Sequence, residues 1–214
     1  MISLDDDTRD ALAETFNMAL GEASAQFADM VGEEIELSVP MVELVSRESL
    51  VARLVDSDGL GARTALCRIT QSFRSRESDI ETQAVLLFPE QGSLEIVRRM
   101  LGDLHGELGG LNEIEQDALG EIGNIMINSC MNSLAHVFDR EMMGTLPEVR
   151  TGVARELFTG PGMGENDAVL LARISMRMAN RRIAGHVLFI MDLRSLQISV
   201  RQIRSFFGLP LVDA

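Results

Sequence analysis

Two short constellations in this sequence carry side chains able to do chemistry: Asp10, Glu14 and Asn17 near the start, and Asp117, Glu121 and Asn124 past the middle. Both read D-x3-E-x2-N, and in both the Asn is followed by 22 residues and then a proline, Pro40 or Pro147. A carboxylate and a carboxamide one helical turn apart set an acceptor or ion-pairing group beside a group that both donates and accepts hydrogen bonds. Such a pair can hold a water.

Other chemistries lack their residues. No serine or cysteine stands with a histidine in a recognisable acyl-transfer arrangement. His105, His136 and His186 show no metal-ligand spacing with one another or with the cysteines, so no metal site is expected. Cys67 falls in an apolar strand-like run and Cys130 on a packing face, and both are expected as buried free thiols. The GPGMG run at 160–164 lacks the GK[ST] ending of a phosphate-binding loop and reads as a flexible loop. A small-molecule enzyme is therefore disfavoured.

Helices must position the two motifs. At about 100° per residue, Asp117, Glu121 and Asn124 fall within roughly 60° of one another. Leu119, Gly123, Ile127, Cys130 and Leu134 collect on the opposite side. Leu12, Phe16, Leu20, Ala23 and Phe27 lie opposite the first motif in the same way. Gly21 and Ala28, and Asn128 and Ala135, extend the two presented faces, with Met18 and Ile125 beside them as partly exposed apolar contacts suited to a protein partner. One such polar face would be ordinary solvation, but two at identical spacing, each with its proline in register, are not.

The 214 residues carry 33 acids against 19 basic residues, a net charge of −14 that disfavours nucleic-acid binding. A 46% hydrophobic content argues against disorder, and no apolar run reaches the roughly 18 residues of a membrane span. The opening MISLDDDTRD is acidic where a secretory signal is basic and then apolar, so a cytoplasmic location is expected.

The order of elements repeats. The first helix runs from the acidic start to about Val31 and ends at Gly32; a strand over Glu34 to Val39 is closed by Pro40; a short helix covers Ser46 to Asp56; strands at Ala62 to Phe73 and Ile80 to Phe88 form an antiparallel hairpin; a helix spans Ser93 to Leu101. Gly102 to Gly110 reads as the midpoint linker. The second half follows with a long helix from about Asn112, a short strand before Pro147, strands near Ala168 to Met178 and Ile183 to Met191, and a helix from Ser195 to Phe207. Asp-Ala-Leu at 10–12 and 117–119, Arg68-Ile69 and Arg173-Ile174, and Ser93-Leu94 and Ser195-Leu196 align the copies. The expectation is an α+β fold: one domain over 1–214 built from repeats of about 1–104 and 111–214. It should have about six strands, two long surface-presented helices, pseudo-two-fold symmetry and one shared core.

The motif resembles that of the CheC, CheX and FliY family of chemotaxis phosphatases: an acidic or serine residue, then x3-E-x2-N-x22-P. Here it stands as Asp10, Glu14, Asn17, Pro40 and again as Asp117, Glu121, Asn124, Pro147. Two intact motifs resemble the CheC type. The resemblance implies a hydrolase that dephosphorylates a phosphorylated response regulator of the CheY type in two-component chemotaxis signalling. Asn17 and Asn124 would position the attacking water, and Glu14 and Glu121 would dock the partner. It implies no cofactor of the chain's own, Mg²⁺ on the regulator, and CheD as a further partner. The rival is a non-catalytic adaptor using the same helix faces to bind a regulator, CheD or a motor component. Phe16 precedes Asn17 where Gly123 precedes Asn124, so the two sites are expected to be unequal, with the second the more active.

Overall fold

A computed structural model describes residues 4–57, 61–77, 80–102, 111–158, 168–178 and 181–210. Helix α1 (Asp6–Val31) starts where the Asp5 carboxylate accepts the Thr8 N–H at 2.9 Å, and ends at Gly32, whose φ of 71° is a left-handed conformation that glycine adopts without a Cβ penalty. Strand β1 (Ile35–Ser46), helix α2 (Arg47–Ser57), strands β2 (Leu66–Ser75) and β3 (Glu81–Pro89) and helix α3 (Glu90–Met100) complete the first half. Helix α4 (Glu113–Phe138) opens the second on a reciprocal cap, in which Asn112 accepts the Glu115 N–H and Glu115 accepts the Asn112 N–H. Strands β4 (Met142–Gly144) and β5 (Glu148–Gly152), the short helix α5 (Ala154–Leu157), strands β6 (Ala168–Met178) and β7 (Arg181–Met191) and helix α6 (Leu193–Phe206) follow.

The strands form a seven-stranded sheet, antiparallel at every described pairing, in the order β1-β6-β7-β3-β2-β4, with β5 also paired to β2. Exchanging β1 with β5, β2 with β6 and β3 with β7 maps this order onto its reverse, which puts a pseudo-two-fold axis between β7 and β3. The halves interleave: β6 and β7 lie between β1 and β3, so the first half's strands close a sheet only through the second half's.

Strand alternation sends neighbouring side chains to opposite faces. The apolar residues therefore form two clusters rather than one core. The larger packs α1, α3, α4 and α6 on one face, and the smaller packs Leu50 and Leu54 of α2 and Leu157 of α5 on the other. Every apolar position expected on the inner faces of α1 and α4 is buried, and the two long helices pack against each other on the same side of the sheet. Phe16 stacks on Phe189 of β7, with ring centroids 5.2 Å apart. No helix among the described residues is long and apolar enough to cross a membrane.

Two expectations need correction. Strand β1 does not close at Pro40 but runs through it to Ser46, and its register on β6 shifts between Ser38 and Met41. Proline lacks an N–H and is tolerated at a bulge on an edge strand, which is where β1 lies. In the second half the chain does break at the matching point, giving β4 and β5 on either side of Thr145, Leu146 and Pro147, and seven strands instead of about six. The glycine-rich linker from 103 onward and the GPGMG run lie outside the described residues.

Candidate functional site

Each motif is carried on the outer side of its long helix. Asp10 and Glu14 are exposed and Asn17 half-buried; Asp117 and Glu121 are exposed and Asn124 half-buried. The gradient has a simple origin: within each motif the Asn is nearest the sheet, so its amide reaches back into the fold while the carboxylates stay in water.

In the first site the Val39 backbone N–H donates to Asn17 Oδ1 at 2.7 Å. This bond gives the spacing of 22 residues and a proline a physical meaning. Val39 sits at the β1 bulge, and the helix side chain takes up an N–H there. Because a backbone N–H can only donate, the bond also fixes the amide: the oxygen faces inward. Asn17 Nδ2 then has no hydrogen-bond partner among the described residues and is left to the surface.

The second site holds its Asn differently. Asn124 Oδ1 accepts from Gln71 Nε2 of β2 at 3.2 Å and from Asn128 Nδ2, one turn along α4, at 2.7 Å. Gln71 Nε2 also donates to the Thr145 carbonyl at 2.9 Å. A carbonyl only accepts, so Gln71 must present its NH2 group, and the donor order follows from Thr145 through Gln71 to Asn124. The result matches the first site: oxygen inward, Nδ2 outward.

The supports beneath the two Asn residues differ as their sequences suggest. Phe16 fills core volume. At Gly123 an added Cβ would lie 2.4 Å from Ile69 Cγ2, so only glycine allows α4 to settle this closely on β2. Around the sites, Met18 is 66% exposed, whereas Ile125 is half-buried against the core. Leu146, next to Thr145, is 89% exposed, although Val39 before the other proline is buried.

The remaining candidates take structural roles. Cys67 and Cys130 are buried free thiols, each pushed up to about 12 by burial, and so are neither thiolate nucleophiles nor ready metal ligands at neutral pH. His136 is exposed and meets Phe206 edge-on, His186 is buried in β7, and His105 lies outside the described residues. No group of three or more His, Cys, Asp or Glu side chains converges among the described residues.

Sequence reading missed the groups that hold the two amides. The Val39 N–H is backbone and carries no residue signature. Asn128 read as a small face-extending residue. Gln71 had a signal: it is the one amide among Cys67, Ile69, Gln71 and Phe73, the alternating positions that β2 turns toward α4, and it is 2% exposed.

No family model matches the chain. The CheY-P phosphatase CheC of Bacillus subtilis is 24% identical over 195 residues, covering 88% of this chain and 90% of that protein. CheC1 of Halobacterium salinarum is 23% identical over 140 residues, covering 64% and 67%. Among solved structures, FliY of Thermotoga maritima superposes with a TM-score of 0.74 at 18% identity, over 97% of this chain and 98% of that one. Similarity in sequence to CheC proteins and likeness in fold to FliY together support the resemblance of this chain to the CheC/CheX/FliY family.

Proposed function

We propose that the chain accelerates hydrolysis of the aspartyl phosphate on a CheY-type response regulator, with Asn17 and Asn124 each positioning an attacking water and Glu14 and Glu121 docking the partner. The observation that carries this reading is common to both halves: the carboxamide oxygen is tied into the fold, and an N–H donor is left at the surface one turn from an exposed Glu. The name of the Bacillus subtilis relative supports the same activity.

An acyl phosphate is already activated, so placing a water in line can supply much of the acceleration. A neutral amide N–H donates to one lone pair of the water and leaves the other free to face phosphorus. Unlike a carboxylate, it is not repelled by the phosphoryl oxygens. The exposed Glu pairs with a cation near the regulator's phosphorylation site, and the Mg²⁺ that neutralises the phosphoryl group belongs to the regulator.

The test follows loss of phosphate from a CheY-type receiver domain with the wild-type chain and with Asn17→Ala/Asn124→Ala. Both positions are half-buried on the outer sides of their helices and Ala is a good helix former, so the fold should persist while acceleration disappears. Wild-type activity in the double variant would overturn the mechanism. A wild-type chain that bound the phosphorylated receiver without shortening its lifetime would instead make these faces an adaptor surface.

A further inference from the structure

The geometry points to Gln71 as the positioning residue of the second site: it is a strand side chain that fixes which end of the Asn124 amide faces the partner. This rests on the phosphatase reading above. Gln71 is 2% exposed on a strand whose other helix-facing positions are mostly apolar, and its Nε2 spans two acceptors, Asn124 Oδ1 at 3.2 Å and the Thr145 carbonyl at 2.9 Å. Its Oε1 is buried with no hydrogen-bond partner among the described residues. A buried amide oxygen without a partner opposes folding. The fold thus keeps a group that half of its own polarity penalises, and what the other half does is orient Asn124.

Strand β6 takes the place of β2 in the other half, and the side chains it turns to the larger cluster are Ala168, Leu170, Ala172, Ile174, Met176 and Met178, all buried and all apolar. No amide is needed there because the Val39 N–H does the same work on Asn17. In the second half β4 and β5 are separate, no backbone N–H among the described residues donates to Asn124, and a side-chain donor from the sheet takes that place. Asn128 completes the cradle from the helix side, but a neighbour on the same helix cannot tie Asn124 to the sheet.

Two variants in an Asn17→Ala background, where only the second site reports, test this with a CheY-type receiver phosphorylated by acetyl phosphate. Gln71→Met keeps the length and removes both donors and the orphaned oxygen. It should hold or raise Tm, lower kcat about tenfold, and leave KM within about twofold because Glu121 is untouched. Gln71→Glu keeps the shape but has no N–H, offering one O–H donor when protonated and none when ionised, and should lower kcat similarly. A merely structural role would give a lower Tm with kcat preserved in the folded fraction. If kcat is unchanged in either folded variant, Gln71 is not a positioning residue. Full activity in Asn17→Ala/Asn124→Ala would instead show that the underlying phosphatase reading is wrong, independently of Gln71.

Discussion

Replacing Gly123 with Ala sets two effects against each other. In an exposed helix interior the change gains about 1 kcal/mol of helix propensity. Here the new Cβ would lie 2.4 Å from Ile69 Cγ2, 2.9 Å from its Cδ1 and 3.0 Å from its Cβ. Ile69 is 1% exposed and β-branched, so it has little freedom to turn aside. Ordinary carbon contacts are about 3.5–4.0 Å, so α4 must move off β2 by about 1 Å. Overpacking of this kind costs about 1–3 kcal/mol, and the three close contacts put it in the upper half of that range, for a net loss of about 1–2 kcal/mol. The same movement carries Asn124, the next residue, away from Gln71 and stretches a bond already at 3.2 Å. Urea unfolding should show lower stability for Gly123→Ala, and in an Asn17→Ala background phosphate release from a receiver should slow. Adding Ile69→Ala should cost less in the Gly123→Ala chain than alone, since it frees the space the new methyl needs. A Gly123→Ala chain more stable than wild type would refute the packing argument, because helix propensity would then have decided the outcome.

Three further outcomes are expected. Asn124→Ala should cost more activity than Asn17→Ala, because two side chains brace the second amide and one N–H the first; equal losses would remove the asymmetry and the opposite order would reverse it. Glu14→Ala with Glu121→Ala should weaken titrated binding to a receiver carrying a phosphate mimic as well as turnover, and unchanged affinity would remove Glu from docking. Hydrogen bonds from Thr8, with the nearby Arg204 charge, hold the Asp5 carboxyl down from 3.8 to about 2. Its contribution is therefore present above about pH 4 and is lost as pH falls toward 2, so the Tm gap between wild type and Asp5→Asn should shrink over that interval; a constant gap would count against the Thr8 bonds, and with them the Arg204 contact, holding the Asp5 carboxylate.

Much was legible in the sequence because it is written in local terms. The acidic start, Gly32 and Asn112 mark helix ends through bonds to residues three or four positions away. The 3.6-residue period of Leu12, Phe16, Leu20 and Phe27 marks a buried face whatever it packs against. The same periodicity presents Asp10, Glu14 and Asn17, and Asp117, Glu121 and Asn124, on outer faces. The duplication is likewise visible as repeated order and spacing.

What tertiary structure alone decided is where strands that are distant in sequence meet. Pairing of β1 with β6 and of β3 with β7 joins residues about a hundred or more positions apart, and no local propensity encodes that choice. Pro40 reads as a strand end because a proline removes a ladder N–H, yet on an edge with a bulge the strand continues. The orientation of the two amides belongs to the same class. It depends on Val39 across a turn and on Gln71 from a strand 53 residues before Asn124, and only their convergence in space turns one end of each amide inward and leaves the other facing out.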